Sequence, residues 1–256
     1  MLRGENPPKA AIQQRLDNGD AEQTTWLRKI ACQESLQRQF ATVLNPSLFR
    51  YPGEPLMSSD GLGGAGVMQI TKTDRLPEGP GLAELWDWRA NVDEGKRVFA
   101  DKLSEAQNYP EQVRRCQGFR DIVEMTNRWR ELQGKPPLDQ VIVPDFQKWQ
   151  ADEDAVRGYN GRSGTPEFRC NTGAGESRLV LHEFRLRKRI VRLDGMNVQI
   201  LELANERQDS QGRLIADAIW ERTPVSLRQG GCPNYVECVR RQAAHCPTRT
   251  NCNCNP

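Results

Sequence analysis

The chain has 256 residues, 37% of them apolar and 27% charged, with a mean hydropathy of -0.74 and a net charge of +2. The nearly balanced charge gives no argument for nucleic-acid binding. No apolar run approaches the roughly 20 residues of a membrane-spanning helix. The numbers therefore favour a polar protein of one large domain, or one domain with an extension, that neither binds nucleic acid nor spans a membrane.

Residues 21–43 have the pattern of an amphipathic helix, and Asp20 followed by Gln23 resembles a capping box at its start. Glu34 falls within the apolar stripe of this helix. The stripe residues three, four or seven positions away are Leu27, Ile30, Ala31 and Ala41.

Glu34 has two interpretations on this pattern. A buried face excludes Glu unless the carboxylate is paired or protonated. Since desolvation raises the pKa of a carboxyl group, a buried Glu is suited to act as a general acid. The alternative is a Glu at the edge of the stripe that pairs with an Arg, and the helix alone leaves both open.

A glycine-rich segment at residues 58–66 follows this helix and leads directly into Val67-Met68-Gln69-Ile70. Its composition predicts a loop with unusual backbone angles. No Gly-Lys-Ser/Thr follows, so the loop is not a phosphate cradle. Asp60 is the acidic residue of this loop. It is either a turn residue before Gly61 or a second carboxylate of a site.

Three further helices are predicted in the middle of the chain. The first follows Asn91, which with Glu94 resembles a second capping box. Another begins at Pro110. The last covers residues 144–159 and ends at Tyr159-Asn160-Gly161, where Gly161 provides a stop signal.

The pattern changes to strands from residue 177. Strands are predicted at residues 179–181, 184–187 and 198–200, and Asp194-Gly195 is a hairpin signal. Residues 213–222 are expected to form a short helix. The basic run at residues 185–192 fits the solvated face of a strand, with contact to an anionic polymer as the alternative.

The chain has eight cysteines, five of them in the last 25 residues. None forms the C-x2-C pair typical of structural zinc. An even count with a dense tail predicts disulfides and an oxidising compartment. The pairing stays open, and free thiols remain an alternative for Cys32 and Cys116, which lie in helical patterns.

Four separated segments, taken together and in order, resemble the soluble lytic transglycosylase family of the lysozyme superfamily. The resemblance covers about residues 22–165. The segments are Glu34-Ser35 on a helix, Gly66-Val67-Met68-Gln69-Ile70 after a glycine loop, Asn91 before Gly95, and Tyr159-Asn160-Gly161 at a helix end.

The resemblance implies a mainly α (α+β) fold, in which a lysozyme-like helical catalytic domain occupies residues 21–176. Residues 1–20 would be an N-terminal extension. Residues 177–256 would be a C-terminal extension with a β-hairpin and a cysteine-rich tail. With this resemblance, catalysis becomes the favoured interpretation of Glu34.

The resemblance also implies a role for each matched residue. Glu34 would be the catalytic acid and base, and Ser35 would lie beside the reacting sugar. Tyr159 would hydrogen-bond near Glu34. The other implied substrate-binding residues are Met68, Gln69, Asn91 and Asn160.

The implied reaction is cleavage of the β-1,4 bond between MurNAc and GlcNAc in peptidoglycan, giving a 1,6-anhydroMurNAc end. One Glu suffices because the substrate's own acetamido and hydroxyl groups take part, so no cofactor or metal is expected. A muramidase of the same fold, with Asp60 as a second carboxylate, is the hydrolytic alternative. A non-catalytic glycan-binding module of a phage or secretion assembly is the other.

The substrate implies a place of action in the periplasm or outside the cell. The first residues have no segment of the secretory type. We therefore expect export by phage lysis, by a secretion machine, or as a processed precursor. Besides peptidoglycan glycan strands, the expected partner is an inhibitor, immunity or secretion-machine protein that binds the C-terminal extension.

Overall fold

The computed structural model describes residues 3–44, 51–58, 63–71, 82–172, 175–229 and 232–246. The chain forms two compact units, one of Met1–Lys102 with Asn234–Asn255 and one of Leu103–Pro233 with Pro256. These limits differ from the predicted boundaries after residues 20 and 176. Helices, small sheets and disulfides together confirm the predicted mixed α and β class.

The first unit is helical in its described part. Its helices are α1 (Lys9–Arg15), α2 (Ala21–Ser35), α3 (Leu82–Trp86), the beginning of α4 (Trp88–Arg115) and, from the tail, α7 (Tyr235–Arg241). The core of α2 is formed by Leu27, Ile30 and Ala31, which are fully buried as predicted.

Helix α2 begins as predicted but ends earlier. The Asp20 side chain accepts hydrogen bonds from the backbone N–H groups of Glu22 and Gln23, which confirms the N-cap. Leu36 and Gln37 then adopt positive φ angles of 59° and 56°, and the helix ends at Ser35. The predicted extension to residue 43 is therefore wrong, and Ala41 does not share a helical face with Glu34.

From Asn234 the cysteine-rich tail belongs to the first unit, where α7 packs against α2. A disulfide joins Cys32 of α2 to Cys246, 214 residues later. Lys29 Nζ also donates to the backbone oxygen of Arg240 at 2.7 Å. The described part of the tail is thus built onto the helix that carries Glu34.

The second unit combines helices with four small sheets. Its helices are the end of α4, α5 (Gln117–Leu132) and α6 (Lys148–Tyr159). A three-stranded sheet has the order β1-β8-β7, with β1 (Gln140–Ile142) parallel to β8 (Leu214–Ala218) and β7 (Leu203–Gln208) antiparallel to it.

Three antiparallel pairs complete the strands of the second unit. They are β2 (Arg169–Thr172) with β3 (Gly175–Arg178), β4 (Phe184–Leu186) with β9 (Trp220–Arg222), and β5 (Lys188–Leu193) with β6 (Met196–Leu201). A 3-10 helix follows at Val225–Leu227. The core between helices and strands includes Tyr109, Val113, Ile122, Phe168, Leu186 and Leu201.

The local predictions in this unit have mixed outcomes. The β5–β6 hairpin is confirmed, with Asp194 and Gly195 at φ 51° and 81°. The helix predicted at residues 213–222 is wrong, because this short segment pairs as β8 and β9. Residues 179–181 are not a strand, and Pro110 lies inside α4 rather than beginning a helix.

The predicted disulfides are confirmed at two pairs. Cys116, at the N-cap of α5, is bonded to Cys170 in β2, and Cys32 is bonded to Cys246. The alternative of free thiols at Cys32 and Cys116 is therefore wrong. Disulfides form in oxidising compartments, which supports the expectation of export. Within the described residues, no helix is long and apolar enough to cross a membrane.

Candidate active site

Glu34 is the penultimate residue of α2 and is half-buried. Its carboxylate oxygen Oε1 accepts a hydrogen bond from the hydroxyl group of Tyr235, the first residue of α7. Tyr235 is only 2% exposed. The structure therefore gives Glu34 a buried tyrosine partner from the tail, which the sequence pattern did not predict.

Ser35 connects the end of α2 to the segment after the glycine loop. It is buried, and its hydroxyl donates to the backbone oxygen of Val67 at 2.8 Å. The hydroxyl oxygen of Ser35 also accepts from the backbone N–H of Arg38 at 3.0 Å. Ser35, expected from the resemblance to lie beside a sugar, thus uses its hydroxyl within the protein.

The segment after the glycine loop is a tight turn between Ala65 and Ile70, whose backbones exchange two hydrogen bonds of 3.0 Å. Gly66 and Gln69 have positive φ angles of 73° and 48°, which confirms the predicted unusual geometry. The half-buried Gln69 donates from Nε2 to the backbone oxygens of Leu56 and Gly66, at 3.0 and 2.9 Å. Its side chain therefore stabilises the turn.

Met68, expected from the resemblance to line the cleft, is fully buried. It packs against α4 at Gly95, where an added Cβ atom would lie 2.4 Å from Met68 Cγ. Such a contact is too short for any substituted residue without movement of the methionine. Met68 therefore supports the turn from inside, and the missing side chain of Gly95 makes its position possible.

Asn91 of α4 is fully buried, and its side chain hydrogen-bonds to the backbone of the same turn. Its Oδ1 accepts from the backbone N–H of Met68 at 2.8 Å, and its Nδ2 donates to the backbone oxygen of Ala65 at 2.8 Å. The predicted helix cap at Asn91 is wrong, since α4 already begins at Trp88. Its amide group bonds to one backbone N–H and one backbone oxygen of the turn, so its role is to position the turn.

Gln39 is a second buried amide at this junction, and sequence reasoning missed it. Its Nε2 donates to the backbone oxygens of Glu84 and Leu85 at 3.0 and 2.7 Å. Its Oε1 accepts from the backbone N–H of Val67 at 3.2 Å. The sequence placed Gln39 in a helix that was predicted to extend to residue 43. Nothing in that pattern indicates that its side chain bonds to the backbone of distant segments.

Tyr159 and Asn160 end α6 in the second unit, as the Gly161 stop predicted. Both are half-buried, and Asn160 Nδ2 donates to the backbone oxygen of Cys232 at 3.4 Å. The hydrogen bond expected between Tyr159 and Glu34 would join two separate units and stays a prediction. Asp60 lies outside the described residues.

A cluster of buried polar side chains surrounds Asp154 of α6, and the sequence did not indicate it. Asp154 is fully buried, with Oδ2 2.7 Å from His182 Nδ1 and 3.1 Å from Arg162 Nη2. Its Oδ1 accepts from the backbone N–H of Glu183 at 2.6 Å. Burial alone would raise the pKa of Asp154, but the charges of His182 and Arg162 outweigh it and lower the pKa to about 2.

Neighbouring groups of the second unit complete this polar core. His182 is buried and stacks on Tyr109 with ring centroids 3.6 Å apart. The Tyr109 hydroxyl donates to Glu167 at 2.8 Å, and Lys188 lies 3.0 Å from the same carboxylate. Burial raises the pKa of Glu167 despite these partners. The mutual pairing of the cluster indicates a structural role.

Among the described residues, no group of three His, Cys, Asp or Glu side chains is placed to hold a metal ion. The chain matches no family model, no curated protein and no solved structure.

Proposed function

We propose that this protein is a peptidoglycan lytic transglycosylase with Glu34 as its acid and base. The observation that carries the proposal is the connection of three of the four motif segments within one unit. Ser35 bonds to Val67, and Asn91 bonds to Met68, each at 2.8 Å. Segments 32 and 23 residues apart thus meet directly at the helix end that carries Glu34.

The connection matters because each motif alone is common. The buried amide of Asn91 bonds to the turn, and the buried hydroxyl of Ser35 joins this turn to the end of α2. Together they fix the backbone beside the carboxylate of Glu34. Such rigidity is what acid–base catalysis requires, since proton transfer depends on the position of the carboxyl group to within fractions of an ångström. The proposal includes a lysozyme-like fold for the catalytic domain.

In the proposed reaction, protonated Glu34 donates its proton to the glycosidic oxygen and the bond to the anomeric carbon breaks. The 2-acetamido carbonyl of MurNAc stabilises the resulting positive charge. The Glu34 carboxylate then removes the proton of the sugar's 6-hydroxyl, whose oxygen bonds to the anomeric carbon. Glu34 is protonated again and no water is consumed, so the product ends in 1,6-anhydroMurNAc.

The place of action that follows is the periplasm or the cell exterior, where peptidoglycan lies. The disulfides Cys32–Cys246 and Cys116–Cys170 support it, because disulfides form under oxidising conditions. Export by phage lysis, by a secretion machine or as a processed precursor would each bring the protein to this place of action.

The test is digestion of purified peptidoglycan at several pH values, followed by mass spectrometry of the released fragments. We expect anhydro-sugar ends from the wild type and a loss of roughly 10²- to 10⁴-fold in Glu34→Gln. Glu22→Gln, at an exposed position of the same helix, is the matched control and should keep full activity. Absence of fragments from the wild type at every pH contradicts the proposal, and reducing ends would identify a hydrolytic muramidase instead.

A further inference from the structure

The contact between Tyr235 and Glu34 adds a residue of the C-terminal tail to the proposed site. We propose that Tyr235 is a positioning residue for Glu34, and that the disulfide between Cys32 and Cys246 keeps it in place. This inference rests on the proposed function. It concerns a residue outside all four motif segments.

The first support is the direct hydrogen bond from the Tyr235 hydroxyl to Glu34 Oε1. Tyr235 is 2% exposed, so its ring is fixed by packing rather than by a mobile surface position. The next residue, Val236, is 1% exposed, and Val239 is fully buried. The hydroxyl is therefore presented by a helix that is anchored through its apolar face.

The second support is the set of bonds that hold this helix on α2. Cys246 is bonded to Cys32, two residues before Glu34. Gln242 Nε2 donates to Gln33 Oε1 at 2.7 Å, next to Glu34 in the chain. Lys9 Nζ donates to the backbone oxygen of Cys246 at 2.6 Å. The bonds to Cys32 and Gln33 thus lie within two residues of Glu34.

The chemical consequence concerns both steps of the proposed reaction. A hydroxyl that donates to a carboxylate restricts its rotation and stabilises its charged form. Glu34 becomes charged when it has given its proton to the leaving oxygen. Tyr235 would therefore orient Glu34 for the first transfer and stabilise the carboxylate that must act as a base in the second.

The first experiment compares Tyr235→Phe with the wild type. We expect kcat to fall roughly 10-fold with KM almost unchanged, because the tyrosine acts through Glu34 and not on the sugar. Loss of a hydrogen bond to the charged form should also move the alkaline limb of the pH–activity profile to higher pH. Tyr51→Phe, at an exposed tyrosine of the same unit, is the matched control and should change neither.

Other charged groups on the two helices and on the turn after α2 are identical in wild type and variant, so they do not account for such a shift. They are Glu22, Arg28, Lys29, Arg38, Glu237, Arg240 and Arg241. Glu237 pairs with Arg240 and Arg241 on its own helix, and the pKa of its carboxyl is lowered against the effect of burial.

The second experiment removes the disulfide with the double variant Cys32→Ala/Cys246→Ala. We expect the same shift of the alkaline limb, because α7 loses its covalent anchor. The variant Cys116→Ala/Cys170→Ala removes a disulfide within the other unit and should lower Tm without the shift.

A third measurement does not depend on activity. The losses of Tm in Tyr235→Phe and Glu34→Ala should not add in the double variant, because both remove the same hydrogen bond. An active wild type whose pH profile is unchanged in Tyr235→Phe overturns this inference and leaves the proposed function standing. Additive losses of Tm also overturn it. A wild type that cleaves no peptidoglycan overturns both.

Discussion

The hydroxyl group of Tyr235 donates a hydrogen bond to the carboxylate of Glu34 from a position 201 residues further along the chain. This contact gives the cysteine-rich tail a role beside the proposed site, although the sequence suggested an extension outside the catalytic domain. From Asn234 the described tail belongs to the first unit, and its Tyr235 bonds to Glu34, the proposed acid and base. Variants of the tail should therefore affect chemistry as well as stability.

Asn91 should be essential for the stability of the first unit. In Asn91→Leu the backbone N–H of Met68 would lose its partner inside the protein, and the backbone oxygen of Ala65 would keep only the hydrogen bond from the Ile70 N–H. We expect a decrease of about 2 kcal/mol in the free energy of unfolding, since an unsatisfied buried group costs about 1–3 kcal/mol. Asn108→Leu, at an exposed position of the same helix, is the control for urea unfolding. Equal stability of the two variants would contradict the positioning role of Asn91.

Gly95→Ala should destabilise the protein although alanine favours a helix by about 1 kcal/mol over glycine. The reason is the fully buried Met68, whose Cγ would be 2.4 Å from the new Cβ atom. Overpacking of this kind typically costs about 1–3 kcal/mol. The double variant Gly95→Ala/Met68→Ala should lose less than the sum of the single variants when thermal unfolding is measured. A stabilising Gly95→Ala would show that α4 and the turn separate easily.

The disulfide between Cys116 and Cys170 should stabilise the second unit through the unfolded chain. It closes a loop over a sequence separation of 54 residues. The loop-entropy relation then gives about 4 kcal/mol at 25 °C. Guanidinium unfolding of Cys116→Ala/Cys170→Ala against the wild type measures this difference. A loss well below 1 kcal/mol would mean that the unfolded chain is already compact around this loop.

Asp154 should make the protein sensitive to acid. Its pKa is lowered to about 2 in the folded state from an ordinary value of 3.8. A carboxylate with a lowered pKa stabilises the folded state above its unfolded pKa, and this contribution is lost as pH falls from about 4 to about 2. At 1.36 kcal/mol for each unit of pKa, the contribution is about 2 kcal/mol.

The measurement is the free energy of unfolding between pH 2 and pH 5 for the wild type and Asp154→Asn. The variant should be less stable at pH 5 and should show a weaker decrease towards pH 2. Asp121→Asn, at an exposed position of α5, is the control and should follow the wild type. A wild type whose stability is constant over this range would contradict the charge pairing of Asp154 with His182 and Arg162.

Local signals in the sequence predicted local structure well. Asp20 caps α2 because its side chain reaches N–H groups two and three residues away, and Asp194-Gly195 forms a hairpin turn because both residues tolerate positive φ. The glycine loop predicted unusual backbone angles, and Gly66 has a positive φ for the same reason. Predictions failed where partners are distant. Residues 213–222 became strands, because pairing with residues 75 positions away in β1 outweighs local preference.

The sequence by itself determined the cap at Asp20, the turn at Asp194-Gly195 and the order of the motifs, because these depend on interactions within a few residues. It also indicated disulfides from the number of cysteines. Only the tertiary structure decided which cysteines pair, that Asn91 serves the turn rather than a helix end, and that Tyr235 reaches Glu34. Burial and long-range hydrogen bonds determine these contacts, and the spacing of the residues along the chain does not predict them.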